Sequence, residues 1–405
     1  MKQQINIAAN IYKLRKKKGL TQSELAEKLY VCNKTVSKWE RGAGYPEITQ
    51  LTSLAKILDT TVDNLLLGEK YGIAIAGNAN TDNFRVINSY PKSGMLSTID
   101  SISRTIGGCV PRTSMALATI DRELPVSTIA KIGNDDSGRY ILDELQKYNI
   151  DTSKFVISSN ESTGFSDVMK DSSTGEYTFF HYTGTNNTFS PEDIPVKLLD
   201  CRMLHIGYII LLKEFDKNDS ECGTVMAKFL RSVQAAGIKT SIDITSNSTE
   251  KITEKVIPTL KYTDNAILNE EELSQLAKIP LRDIFGKLIL QNVKTAMATV
   301  LSYGVSERVI VHIDEADFLM NSEREYFCLP ALKRSTPQGT FLLGEAEAFC
   351  AGCLYGIYKG YDDQKILDFA SGASLCIPNY NNRSTNFKTK EAIFDFIKTA
   401  ERNIL

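Results

Sequence analysis

Along the first 66 positions the apolar residues recur every three or four places, the spacing of helices with one buried face. Ile7, Ile11 and Leu14 define the first such face, Lys16-Lys17-Lys18 closes that helix and Gly19 caps it. Thr21-Gln22-Ser23-Glu24 has the form of a capping box, with Leu25, Ala26 and Leu29 turned inward. Asn33 opens a third helix that runs to Arg41 and stops at Gly42; Val36 and Trp39 face a core while Lys34, Thr35, Ser37 and Lys38 stay outside. Pro46-Glu47 starts a fourth helix through Leu58, and Thr61 to Leu66 makes a short fifth.

Beyond Lys70 the period changes. Short apolar runs, Ile73-Ala74-Ile75-Ala76 first, alternate with amphipathic stretches. Strands are expected over Tyr71–Gly77, Val126–Ile132, Met203–Gly207, Lys239–Ile244, Asn265–Leu268 and Arg308–Ile313. Helices are expected over Ser114–Ile120, Arg139–Tyr148, Ser220–Ala236 and Asn269–Lys278, with two more helical segments near the C-terminus. Phe84 to Ser89 and Gly164 to His181 read as lid-like strands. This alternation predicts an α/β domain, residues 69–405, built on a mostly parallel sheet between helices with a small β lid, preceded by an all-α domain, residues 1–68.

Charge sharpens that division. Residues 1–68 hold 11 Lys and Arg against 6 Asp and Glu, net +5, and the remaining 36 against 43 leave net −7. A basic head on an acidic body points to a polyanion partner for the head, double-stranded DNA being the expected one. No apolar run has membrane-spanning length, and the N-terminus leads straight into an amphipathic helix, so a cytoplasmic protein without a membrane partner is expected. Eight irregularly spaced cysteines suggest buried thiols, Cys350 and Cys353 one turn apart on an apolar face among them. Of the three histidines, His181, His205 and His312, none stands at metal spacing from a cysteine, which argues against a protein-held transition metal.

The run from Leu14-Arg15-Lys16 through Leu20 to Ala26 and on to Val36-Ser37-Lys38-Trp39-Glu40-Arg41-Gly42 resembles the lambda-repressor-like (XRE) helix-turn-helix family over the whole head. That resemblance implies a helix lying in the major groove of DNA, with Asn33, Lys34, Thr35, Ser37 and Lys38 at base edges or phosphates and Gln22 anchoring the motif. It also implies a homodimer on two half-sites.

From about Tyr71 onward the chain resembles the ribokinase-like (PfkB) carbohydrate kinases. The likeness rests on Asp82, Gly107-Gly108, Gly133-Asn134-Asp135-x-x-Gly138, Thr163-Gly164, Asn269-x-x-Glu272 and Ala348-Phe349-x-Ala-Gly352, in that order. It implies sugar hydroxyls at Asp82, Gly107 and Gly108, and magnesium near Asn269 and Glu272, although the latter pair also reads as a helix capping box.

The departures from that family gather at the chemistry. Its signature Gly-Ala-Gly-Asp-Ala-Phe-x-Ala-Gly becomes Gly344-Glu345-Ala346-Glu347-Ala348-Phe349-Cys350-Ala351-Gly352, so Glu347 stands where the family has its catalytic Asp, Ala346 for the second glycine and Glu345 for the Ala. A displacement near ~1 Å at a reacting centre lowers rates on the order of a hundredfold. The family's Asp-Thr-x-Gly is replaced by Phe341-Leu342-Leu343-Gly344, and its nucleotide-site glycines by Asp314-Glu315-Ala316-Asp317, which sets the Asp314 and Asp317 carboxylates, with Glu345, where phosphates should lie. The Asn of Gly-Gly-x-x-x-Asn is Arg112, which suits an anionic ligand such as a sugar phosphate, or else points outward at a helix start.

The resulting expectation is a DNA-binding transcriptional regulator whose kinase-like domain senses a carbohydrate or sugar phosphate without phosphoryl transfer and without a cofactor. An ATP- and magnesium-dependent carbohydrate kinase carrying a DNA-binding head is the alternative, and a dimerisation body without ligand a third.

Overall fold

The computed structural model describes residues 7–67, 71–245, 252–333, 344–375 and 387–405. The chain divides into two compact units, Met1–Tyr71 and Gly72–Leu405.

In the first unit the helices are α1 (Ile7–Lys17), α2 (Gln22–Lys28), α3 (Asn33–Glu40), α4 (Ile48–Ile57) and α5 (Val62–Leu67). Thr21 and Glu24 form the reciprocal capping box that starts α2. Ile7, Ile11, Leu14, Leu25, Val36, Trp39, Leu54 and Leu65 bury together as one core. Beside it Arg15 is buried with its guanidinium forked onto Glu40, Nε to Oε1 at 2.6 Å and Nη2 to Oε2 at 2.9 Å, while Nη1 donates to the Leu20 carbonyl at 2.6 Å. This charge-assisted fork fixes α1 against the end of α3, so α3 is held by geometry as well as by apolar packing.

The second unit begins with β1 (Ile73–Gly77), β2 (Asn80–Ile87), β3 (Ile99–Gly107), α6 (Cys109–Ile120), β4 (Val126–Ile129), β5 (Lys131–Gly133), α7 (Asp136–Gln146), β6 (Val156–Ser158), β7 (Gly164–Asp171) and β8 (Tyr177–Tyr182). It continues with β9 (Met203–Ile209), β10 (Asn218–Asp219), β11 (Gly223–Thr224), α8 (Val225–Ala235), β12 (Lys239–Ile244), α9 (Ile252–Leu260), β13 (Asn265–Asn269), α10 (Glu270–Ala277), α11 (Leu290–Ser302), β14 (Arg308–His312), β15 (Ala316–Asn321), β16 (Tyr326–Pro330), α12 (Glu345–Lys359), α13 (Asp363–Leu375) and α14 (Lys390–Thr399).

The main sheet runs β16-β15-β14-β13-β12-β9-β1-β4, parallel from β4 to β14 and antiparallel at β15 and β16. Side-chain alternation assigns its faces: Ala74, Ala76, Val309 and Val311 join the core under α8 to α11, whereas Ile73, Ile75 and Ile310 join the core under α6, α7 and α12 to α14. A separate four-stranded sheet, β3-β2-β7-β8, forms the lid, and β5–β6 and β10–β11 make two small pairs.

Several expected boundaries move. α6 starts at Cys109, not Ser114, because Pro111 lies in the first turn, where a missing N–H breaks no helical bond. Val126 to Ile132 divides at Ala130 into β4 and β5, which pair with different partners. α8 starts at Val225, since residues 218–224 form the β10–β11 hairpin. The antiparallel strands β15 and β16, absent from the expectation, carry weak alternation in a charged stretch, and three helices, not two, follow Gly344 among the described residues.

Candidate functional site

The carboxyl ends of β1 and β9 and the starts of α6 and α12 converge on one buried polar cluster. Its geometry begins with two glycines. A methyl on Gly107 would fall 2.5 Å from Asp82 Oδ1, and Gly108, at φ +87°, would carry one 2.7 Å from the Asn78 carbonyl oxygen. Only glycine allows the chain to pass this close to Asp82 and turn directly into α6. Helical side chains lean toward their own N-terminus, and Arg112, in the first turn of α6, is thereby directed back over the sheet end.

Arg112 is 6% exposed and points inward, contrary to the outward alternative. Its Nη2 donates to Asp82 Oδ2 at 2.6 Å, its Nη1 to Glu347 Oε1 at 3.4 Å, and its Nε to the Ile106 carbonyl at 3.0 Å. Asn80 Nδ2 donates to the other Asp82 oxygen at 2.9 Å, and the Tyr208 hydroxyl donates to Glu347 Oε1 at 3.1 Å. Asp82 and Glu347, expected at the sugar and base positions, are therefore bridged by one guanidinium. Burial pushes the Asp82 carboxyl up, against the pull of Arg112. Burial works against the Arg112 charge, yet Asp82 and Glu347 hold its pKa above the ordinary value. Burial and Glu347 drive the Tyr208 phenol well above its usual range, so it stays a donor.

At the start of α12, Gly344 adopts φ +89° and no side chain caps the helix. Glu345 and Glu347 occupy the first turn, Glu347 buried and Ala346 exposed. On the nucleotide side the three carboxylates expected where phosphates should lie have partners of their own or sit in a turn. Asp317 is fully buried in β15, and its Oδ1 lies 2.5 Å from Nδ1 of His312, whose Nε2 is 3.6 Å from Glu345 Oε1. The His312 ring stacks on Phe349 at 4.5 Å. Burial opposes the imidazolium, but Asp317 and Glu345 outweigh it and raise its pKa to about 10. Asp314 is half-buried in the turn after β14, and Glu315 forks with Arg282 at 2.7 Å. Phe341-Leu342-Leu343 lies outside the described residues.

Asn269 and Glu272 form the reciprocal capping box of α10: Asn269 Oδ1 accepts from the Glu272 N–H at 2.9 Å and Glu272 Oε2 from the Asn269 N–H at 2.9 Å. Glu272 is buried. The Arg112 cluster does not include this pair.

In the other unit Lys34 and Lys38 are exposed along α3, with Thr35 and Ser37 half-buried. Asn33 Nδ2 donates to Ser23 Oγ at 3.0 Å, and Gln22 Nε2 donates to Glu40 Oε2 at 2.8 Å, so Gln22 joins the Arg15–Glu40 fork.

Sequence reasoning missed Tyr208 and His312. Both close parallel strands at the carboxyl end, where ligands gather on such sheets, and that position was the available signal. It also set His205 aside, which the fold brings to 3.5 Å from Cys350 Sγ across 145 residues of sequence.

Comparison with known proteins follows the same division. Residues 11–65 match a helix-turn-helix family and residues 69–387 the pfkB family carbohydrate kinases. The HTH-type transcriptional activator BcrR of Enterococcus faecalis is 42% identical over 80 residues, which are 20% of this chain and 39% of that protein. Ribokinase of Staphylococcus aureus (strain COL) is 28% identical over 122 residues, 30% of this chain and 40% of that protein. The chain thus spans only about two fifths of either relative. Arabidopsis thaliana ribokinase, solved with ribose and ATP, superposes with a TM-score of 0.66 at 18% identity over 81% of this chain and 99% of its own. The fold is a helix-turn-helix head joined to a ribokinase-like α/β domain. The chain belongs to the pfkB family of carbohydrate kinases.

Proposed function

We propose that this protein is a DNA-binding transcriptional regulator whose pfkB domain binds an acidic carbohydrate, such as a sugar phosphate, without transferring phosphate. The observation that carries the proposal is Arg112, lodged between Asp82 and Glu347 at 2.6 and 3.4 Å. A neutral sugar needs both carboxylates free for its hydroxyls and must displace the guanidinium. A ligand phosphate or carboxylate instead offers Arg112 a new bidentate partner and releases the two acids to the sugar hydroxyls.

On the nucleotide side, the α12 N-terminus carries Glu345 and Glu347 in the turn that would otherwise attract an anion. The chemistry of the residues present does not fit ATP and magnesium there, and Asn269 and Glu272 satisfy each other as a cap. DNA binding belongs to α3, with Gln22, Asn33, Lys34, Thr35, Ser37 and Lys38 as its contact residues. Two half-sites call for a dimer. The lid sheet offers Ile102, Phe179, Phe180 and Tyr182, each 49–68% exposed, to a second copy of the chain.

The active-kinase reading is favoured by the retained Asp82, Gly107, Gly108, Asn269, Glu272 and Gly344, the last in the αL conformation at the head of α12. Fluorescence anisotropy of the full chain on selected operator DNA, titrated with matched free and phosphorylated sugars, tests the proposal. A phosphorylated sugar should change DNA affinity where its free form does not, and no response to any acidic sugar would refute the sensing role.

A further inference from the structure

Below the Arg112 cluster lies a second group of polar side chains with a different chemistry. Cys109 Sγ, a ring nitrogen of His205 and a carboxylate oxygen of Asp243 all lie within 4.8 Å of one another, and all three residues are buried. His205 Nε2 is 3.5 Å from Asp243 Oδ2 and 3.5 Å from Cys350 Sγ. The other ring nitrogen, Nδ1, is 3.1 Å from Ser241 Oγ. Asp243 Oδ1 has no hydrogen-bond partner although the residue is only 9% exposed. Gly207 makes room for this atom: a methyl there would fall 1.6 Å from Asp243 Oδ1 and 3.0 Å from Cys109 Sγ.

From these positions we infer that Cys109, His205 and Asp243 form a three-donor binding site for a zinc ion, with the fourth position open and Cys350 packed beside His205. Thiolates at ~2.3 Å and nitrogen or oxygen at ~2.0–2.1 Å from zinc put tetrahedral donors roughly 3.3–3.8 Å apart, which brackets the 3.5 Å between His205 Nε2 and Asp243 Oδ2. A soft thiolate with an imidazole selects zinc over magnesium or calcium. Ser241 supplies the outer contact such a histidine needs: Nδ1–H donating to its hydroxyl leaves the Nε2 lone pair for the metal. Binding displaces the Cys109 thiol proton, and one thiolate and one carboxylate balance the charge of Zn²⁺. The ion would also give the orphaned Asp243 oxygen a partner.

The place in the fold has a consequence. Cys109 lies three residues before Arg112 on α6, one turn away. Zinc would thus fasten the start of α6, which carries Arg112, to β9 and β12. This inference does not depend on whether that position binds a sugar.

The test is elemental analysis of the full chain purified without chelator from zinc-supplemented medium, together with C109S, D243N and C353S. Wild type should hold about one equivalent of zinc, C109S and D243N much less, and C353S, altered at a neighbouring buried thiol outside the cluster, the wild-type amount. Cobalt substitution of wild type should give a thiolate-to-metal charge-transfer band, a readout that survives if a variant fails to fold. Wild type free of zinc and giving no such band with cobalt, or a folded C109S that keeps full stoichiometry, would overturn the assignment.

Discussion

Arg112 donates to Asp82 across 2.6 Å, and both side chains are more than nine-tenths buried. Such a pair is costly to break from one side, because the acid left behind keeps its desolvation without its partner. Arg112→Met should therefore destabilise the pfkB domain by about 3–5 kcal/mol at neutral pH. Burial already raises the Asp82 carboxyl, and without Arg112 it rises further, so the deficit belongs to the ionised acid and should shrink as pH falls toward 5. Urea denaturation at the two pH values checks this, and a deficit independent of pH would contradict the pairing.

Acid and alkaline limits should trace to different residues. Burial raises the Asp121 carboxyl, but Lys359 at 3.0 Å and Lys390 at 3.2 Å bring it down to about 2. A depressed acid contributes stability above its unfolded pKa, near 4, that is lost as pH falls through about 2. Asp121→Asn should cost about 1 kcal/mol at pH 7 and flatten the acid limb of the stability profile. His312 has the opposite sign. Its contribution is full below about 6.5 and is lost as pH rises through about 10, so His312→Asn should flatten the alkaline limb between those values.

For the head, Lys34 and Lys38 lie exposed on α3, outside its core. Replacing either by Ala should weaken DNA binding evenly across sequences and lower the slope of log K against log salt by about 1. Thr35 and Ser37 changes should instead alter which sequences are preferred. Anisotropy on a salt series with specific and random duplexes distinguishes the two outcomes.

Asn269 and Glu272 act as a cap in this structure, whatever else they hold. Asn269→Ala should lower stability by about 1 kcal/mol, equally with and without magnesium. A loss that appears only with magnesium present would move the pair back to metal binding.

Much of the fold was legible because its signals are local. The 3.6-residue period of Ile7, Ile11 and Leu14, the Thr21–Glu24 box and the turn glycines each act over a few residues, and the strand alternation of Ile73 to Ala76 sorts residues between two cores directly. Departures at positions 112, 345 and 347 were legible too, since each replaces a small or short residue by a long charged one. What those side chains touch was not. Arg112 meets Glu347 across 235 residues, and His205 meets Cys350 across 145, contacts that only the crossovers of the sheet create. Asp317 was expected against phosphates because its neighbour in space, His312, is a partner set by antiparallel pairing of β14 with β15, a strand that weak alternation had hidden.

The direct test of a closed catalytic position is phosphate transfer from γ-labelled ATP with magnesium to a panel of free sugars, run on wild type and on the double variant Ala346→Gly, Glu347→Asp. A guanidinium lodged between Asp82 and residue 347 predicts no labelled sugar from the wild-type chain. Labelled sugar formed by wild type and abolished in Glu347→Gln would contradict it.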